Sequence, residues 1–134
     1  ALKMALISGK KVKIMIPCKP DHAFVYWATL FYAGELLEAG AEVYIYENGF
    51  LHTKGMIMDE EVYCYGTANM DIRSFHLNYE INVLVYGRDE VRKMVEAYEK
   101  DILCCREIKP TEYAARSPVI RIKEQLFRLL SPLL

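Results

Sequence analysis

His52 and Lys54 stand two residues apart in the run from Leu51 to Met58. If that run is a strand, both side chains leave the same face. Thr67 and Asn69 repeat the spacing after a turn, and Glu80 follows at the start of a further apolar run. Three neighbouring segments thus offer an imidazole, an ammonium, a hydroxyl, a carboxamide and a carboxylate. Imidazole can attack phosphorus or protonate a leaving alkoxide near neutral pH. Lysine and asparagine can donate to non-bridging oxygens, where charge builds in the transition state. A carboxylate on the far ring nitrogen fixes the tautomer and stabilises imidazolium. The chemistry this set suits is phosphoryl or phosphatidyl transfer, and it requires neither a metal nor a cofactor.

The elements that must position these groups are readable from periodicity. Ala1 to Ile7 reads as the tail of a helix, with Gly9 placed to close it. Lys11 to Pro17 alternates charged and apolar residues, which predicts a strand with Val12, Ile14 and Ile16 on one face. Asp21 is placed to N-cap a helix over His22 to Ala39, with Gly40 beyond its end. That helix is apolar nearly all round, which suits a core position or a face turned to a second domain or lipid. Ala41 to Glu47 reads as a strand and Asn48-Gly49 as a turn.

Leu51 to Met58 and Val62 to Thr67 form a hairpin pattern around Asp59-Glu60-Glu61. An irregular polar segment, Ala68 to Asn78, then leads to a strand over Tyr79 to Val85. Arg88 to Cys104 is predicted helical, with Val91, Met94, Val95, Tyr98 and Ile102 on one stripe. Pro110 breaks the chain, Thr111 to Ala115 suits a short turn, and Ser117 opens a helix ending near Leu130. The whole predicts an α/β fold: a mixed β-sheet flanked by helices on both faces.

The 134 residues fit a single domain, with 53% hydrophobic and 26% charged side chains. A net charge of −1 argues against a large basic surface for nucleic acid. Cys18, Cys64, Cys104 and Cys105 lack metal-ligand spacing and suit reduced, packed thiols. No apolar run approaches the roughly 20 residues that cross a bilayer. The opening on Ala1, as if inside a helix, reads as an excised fragment.

A lone strand histidine is usually a packed or surface residue; the surrounding pattern changes that reading. His52-x-Lys54-x4-Asp59 followed by Gly66-Thr67-Ala68-Asn69-Met70-Asp71-Ile72-Arg73-Ser74 resembles the HKD motif of the phospholipase D superfamily. Ile14 to Pro17, Lys19 to His22, Tyr44 to Phe50, Asn69 to Phe75 and Ser131-Pro132 extend the likeness. Together they resemble the C-terminal region of bacterial cardiolipin synthases over essentially the whole chain. Thr67 stands where serine is often found, and the hydroxyl is kept.

The resemblance implies an enzyme that joins two phosphatidylglycerol molecules into cardiolipin and releases glycerol through a phosphohistidine. It implies a partner N-terminal HKD lobe in the same parent chain. The parent would act at the membrane surface, on the cytoplasmic face, while the fragment itself would be soluble and nearly inactive alone. His52 would be the general acid/base, Lys54 and Asn69 would bind phosphate with Thr67 supporting, and Glu80 would orient His52. Asp59 completes the motif, but its odd spacing from His52 puts it at the hairpin turn, in a structural role such as an ion pair with Arg73. Asp71 and Arg73 suit an internally stabilised loop, and Lys19 and His22 either a head-group contact or an ordinary loop. The alternative function is a single-motif phosphodiesterase or nuclease working as a homodimer; a non-catalytic docking domain would not need His52, Lys54, Asn69 and Glu80 together.

The last helix interleaves Val119, Ile120, Ile122, Leu126, Phe127, Leu129 and Leu130 with Arg116, Arg121, Lys123 and Arg128. Such a helix lies on anionic membranes or packs onto its own domain.

Overall fold

A computed structural model describes residues 1–19 and 23–133 of the chain. In chain order the elements are α1 (Leu2–Ile7), β1 (Lys13–Pro17), α2 (Ala23–Glu38), β2 (Glu42–Tyr46), β3 (Gly55–Met58), β4 (Val62–Gly66), α3 (Ile72–His76), β5 (Asn82–Tyr86), α4 (Arg88–Ile102), β6 (Cys105–Ile108), α5 (Pro110–Ala114) and α6 (Pro118–Leu130). They fall into two compact units: residues 1–51 with 105–132, and residues 52–104. The expected N-cap Asp21 and the head-group candidate His22 lie outside the described residues. Among the described residues no helix is long and apolar enough to cross a membrane.

The first unit is built on a mixed sheet of order β1-β2-β6, with β1 and β2 parallel and β6 antiparallel to β2. Its core gathers Ile16, Val43, Ile45 and Ile108 from the sheet, Ala33 and Leu37 from α2, and Tyr113 from α5. The alternation read in Lys11 to Pro17 holds: Ile16 is buried while Lys13 is exposed. Both early helices stop as their glycines predict. Gly9, at φ +79°, lets its N–H reach the Leu6 carbonyl (2.9 Å) while that of Lys10 reaches Ala5 (3.0 Å). Gly40 repeats the arrangement on Leu37 and Leu36, so each helix ends in a pair of reversed bonds that satisfies its last carbonyls.

The uniform apolarity of α2 is explained by burial on more than one side. Ala33 and Leu37 join the core, and α6 packs along α2 with Phe127 against Phe24 at 5.0 Å between ring centres. The expected start of α6 is also found: Ser117 accepts the Ile120 N–H at 3.4 Å, and Pro118 opens the helix, where its missing N–H costs nothing. Strand β6 was not expected. Its four residues are half charged, as suits a sheet edge, and Arg106 bonds Glu112 at 2.7 Å and pairs with Glu47 at 3.4 Å.

The second unit holds an antiparallel sheet of order β3-β4-β5 with α4 packed on it. The α/β class with a mixed sheet therefore holds, and the strands are shared between two three-stranded sheets. The hairpin between β3 and β4 turns through Asp59 (φ +49°) and Glu60 (φ +57°), closed by Glu61 N–H to Met58 O at 3.1 Å. Positive φ at both central residues is the hairpin turn whose twist matches paired strands. Glu61 accepts from Arg88 Nε at 2.8 Å, tying the turn to the start of α4. Only Ser74 and Val91 are buried among the described residues of this unit.

Candidate functional site

Strand β3 begins later than its sequence suggests. Leu51 to Lys54 lie ahead of it, because β4 ends at Gly66 and, among the described residues, no strand pairs with them. The last ladder-like bond joins Gly66 N–H to the Lys54 carbonyl at 3.2 Å. His52 and Lys54 consequently do not share a strand face. Instead the Lys54 ammonium turns back and donates to the His52 carbonyl at 2.8 Å. That uses one of its three N–H groups and leaves two for an anion. The His52 ring is exposed and Lys54 half-buried.

Strand β5 is displaced the same way, starting at Asn82, so Glu80 sits in the approach to the strand. The reason lies in Thr67. Its backbone N–H reaches the Ile81 carbonyl at 3.0 Å, and its hydroxyl accepts the Ile81 N–H at 3.0 Å. A side chain replaces the ladder partner, and the regular ladder ends at the Gly66–Asn82 pair.

The segment read as irregular, Ala68 to Asn78, contains the short helix α3. Asp71 caps it, accepting the Ser74 N–H at 2.7 Å. Ser74, 7% exposed, then joins two motif residues. Its hydroxyl accepts the Asn69 N–H at 3.1 Å and donates to Glu80 Oε1 at 3.1 Å. Asn78 Nδ2 adds a second bond to that oxygen at 3.1 Å.

Glu80 is consequently held below the usual carboxylate range. The Thr67 hydroxyl is the largest cause, followed by the Asn78 amide; the Ser74 hydroxyl and the Lys54 charge add to it, against the opposing pull of desolvation. Each of these contacts favours the ionised form.

One end of the β3–β4 hairpin thus brings Lys54, Thr67 and Glu80 together, with His52 joined through its backbone carbonyl and the Asn69 backbone attached through Ser74. Asp59 is not part of this group. It occupies the turn at the opposite end of the hairpin, and among the described residues it forms no ion pair with Arg73. Its partnering role falls to its neighbour Glu61. Ser74 and Asn78 were missed by the sequence reading. The available signal was Asp71 three residues before Ser74, which is N-cap spacing for a helix too short to show periodicity.

Gly66 has a steric reason to be glycine. A Cβ there would lie 2.1 Å from the Ile81 carbonyl oxygen and 2.2 Å from Asn82 Oδ1. Gly66→Ala is expected to force β4 and β5 apart and to lower stability by about 1–3 kcal/mol. Urea unfolding followed by circular dichroism measures it, and an unchanged midpoint would contradict the close approach.

The sequence pattern of the family described as cardiolipin synthase, PLD-like domain, matches residues 1–102. Major cardiolipin synthase ClsA of Bacillus subtilis (strain 168) is 54% identical over 134 residues, which is 100% of this chain and 28% of that protein. Cardiolipin synthases of Listeria monocytogenes serotype 4a (strain HCC23) and Oceanobacillus iheyensis are 52% and 50% identical with the same coverage. The chain thus spans 28% of the length of these curated relatives. Among solved structures, phosphatidylserine synthase of Haemophilus influenzae Rd KW20 superposes with a TM-score of 0.71 at 18% identity. The match covers 98% of this chain and 37% of that one, and at such identity the likeness is one of fold.

Proposed function

Because the chain belongs to the cardiolipin synthase PLD-like domain family, we propose that it is one lobe of a phosphatidyltransferase joining two phosphatidylglycerol molecules into cardiolipin and glycerol. The observation that carries this reading is the network around Glu80, which ties the hydroxyl, ammonium and amide segments of the motif to one end of one hairpin.

In the proposed reaction a histidine of a second, N-terminal lobe attacks the phosphorus of phosphatidylglycerol. The bond to glycerol breaks, and His52 gives its proton to the departing alkoxide. The phosphatidyl group is then held on the other histidine. A hydroxyl of a second phosphatidylglycerol loses its proton to His52 and attacks phosphorus, freeing that histidine and forming cardiolipin. Lys54 and Asn69 stabilise charge on the non-bridging oxygens, with Thr67 supporting them. Glu80, kept ionised by its donors, supplies the negative charge that steadies imidazolium at His52. The site of action would be the cytoplasmic face of the cell membrane, where the lipid substrate lies.

A second lobe is supported by what the smaller unit leaves uncovered. Phe75, Leu77, Tyr79 and Ile81 are 62 to 106% exposed, in a unit whose interior is small. Apolar side chains concentrated like this mark a surface that is covered in the working molecule. The full-length protein containing this chain, given phosphatidylglycerol vesicles, should release one glycerol per cardiolipin formed. Phosphatidic acid as the main product would mean hydrolysis and overturn transfer.

A further inference from the structure

Helix α6 turns much of its apolar surface outward. Its inner face is already seated: Phe127 meets Phe24 and Arg128 lies 4.9 Å over Phe31, while at the edge of that face the exposed Lys123 passes 5.2 Å over the Trp27 ring. Glu124, 1% exposed, completes that seat in an ion pair with Arg116. On the other side Val119, Ile122, Leu126 and Leu129 follow one another at helical spacing and are 54 to 68% exposed. A helix that packed only on its own domain would bury this stripe and leave its carboxylate in water. Here the reverse holds.

The charge around the stripe selects its occupant. Residues 116–134 carry four cations and a single carboxylate, Glu124, which is buried and already paired. With 3.6 residues per turn, Arg121 and Lys123 flank the stripe on opposite sides. Both are exposed. Protein interfaces are depleted of lysine at their cores, whereas apolar side chains between snorkelling cations match acyl chains below anionic head groups.

We propose that the outer face of α6 is a docking surface for an anionic phospholipid bilayer. Ile122, Leu126 and Leu129 enter the acyl boundary, and Arg121 and Lys123 meet head-group phosphates. The proposal does not rest on the catalytic reading of His52.

The test is flotation of the 134-residue chain with vesicles of mixed phosphatidylglycerol and phosphatidylcholine, against vesicles of phosphatidylcholine alone. Binding is expected on the anionic vesicles and should weaken as salt rises. The double variant Ile122→Asp, Leu126→Asp should bind at least about tenfold more weakly. The double variant Arg121→Glu, Lys123→Glu, at exposed positions, should lose the preference for anionic vesicles, and thermal melts establish that each variant folds. Undiminished vesicle binding by both folded variants would overturn the proposal. So would a wild-type chain that ignores vesicles but dimerises through this face, with the Ile122→Asp, Leu126→Asp variant returning to monomer in light scattering.

Discussion

Replacing His52 with alanine in the full-length protein is expected to slow cardiolipin formation by about 10²–10⁴-fold, the usual worth of a positioned general acid/base. The loss should fall on kcat more than on KM, because the imidazole is asked to act on the leaving and entering oxygens and not to hold the lipid. A substrate whose leaving group departs without a proton separates acid catalysis from a packing effect. With a p-nitrophenyl phosphodiester in place of the glycerol ester, the first half-reaction of His52→Ala should recover much of its rate. If the variant makes cardiolipin at the wild-type rate, the assignment of His52 is wrong. If the activated ester shows no recovery, His52 acts as the nucleophile or through structure, and the acid/base role fails.

Arg116→Ala should be the most destabilising substitution in the larger unit. Glu124 is 1% exposed, and its carboxylate accepts from Arg116 Nε at 2.8 and 3.1 Å. Arg116 is itself fixed from two further directions. Its Nη1 donates to the Tyr113 carbonyl at 2.6 Å, and its guanidinium lies 3.5 Å over the Tyr113 ring. Truncation leaves a carboxylate in the interior with no cation, which costs about 3–5 kcal/mol in comparable buried pairs. That is a large share of the total stability of an ordinary domain. Pairing the change with Glu124→Gln should return a substantial part of the loss, since the remaining cost is then packing and not a stranded charge. Urea unfolding of the four proteins gives the coupling directly. A single-variant loss below about 1 kcal/mol, the worth of an exposed pair, would show that the ion pair does not hold α6 in place.

These two residues differ in how visible they are from sequence. His52 announces itself through its spacing to Lys54, Gly66 and Asn69, all within one short stretch. Arg116 and Glu124 read as two charges on a basic amphipathic helix. Nothing local says that one of them is interior, because burial depends on where α2 lies.

Sequence alone determined whatever a few neighbouring residues control. The glycine stops at Gly9 and Gly40, the Ser117 cap, the hairpin turn at Asp59-Glu60 and the identity of the motif side chains all belong to that class. Each depends on local torsion or on bonds spanning a few residues. The tertiary structure decided which backbone groups found partners across the chain. It moved the start of β3 past Lys54, where β4 ends at Gly66, and that of β5 past Ile81, because Thr67 takes up Ile81 with its own N–H and hydroxyl. It made Ser74 the bridge between Asn69 and Glu80, and it added the edge strand β6. It also chose which part of the wide apolar arc of α6 is covered. Periodicity reports that a helix has an apolar arc, but the width of the neighbour it packs on sets how much of that arc leaves water.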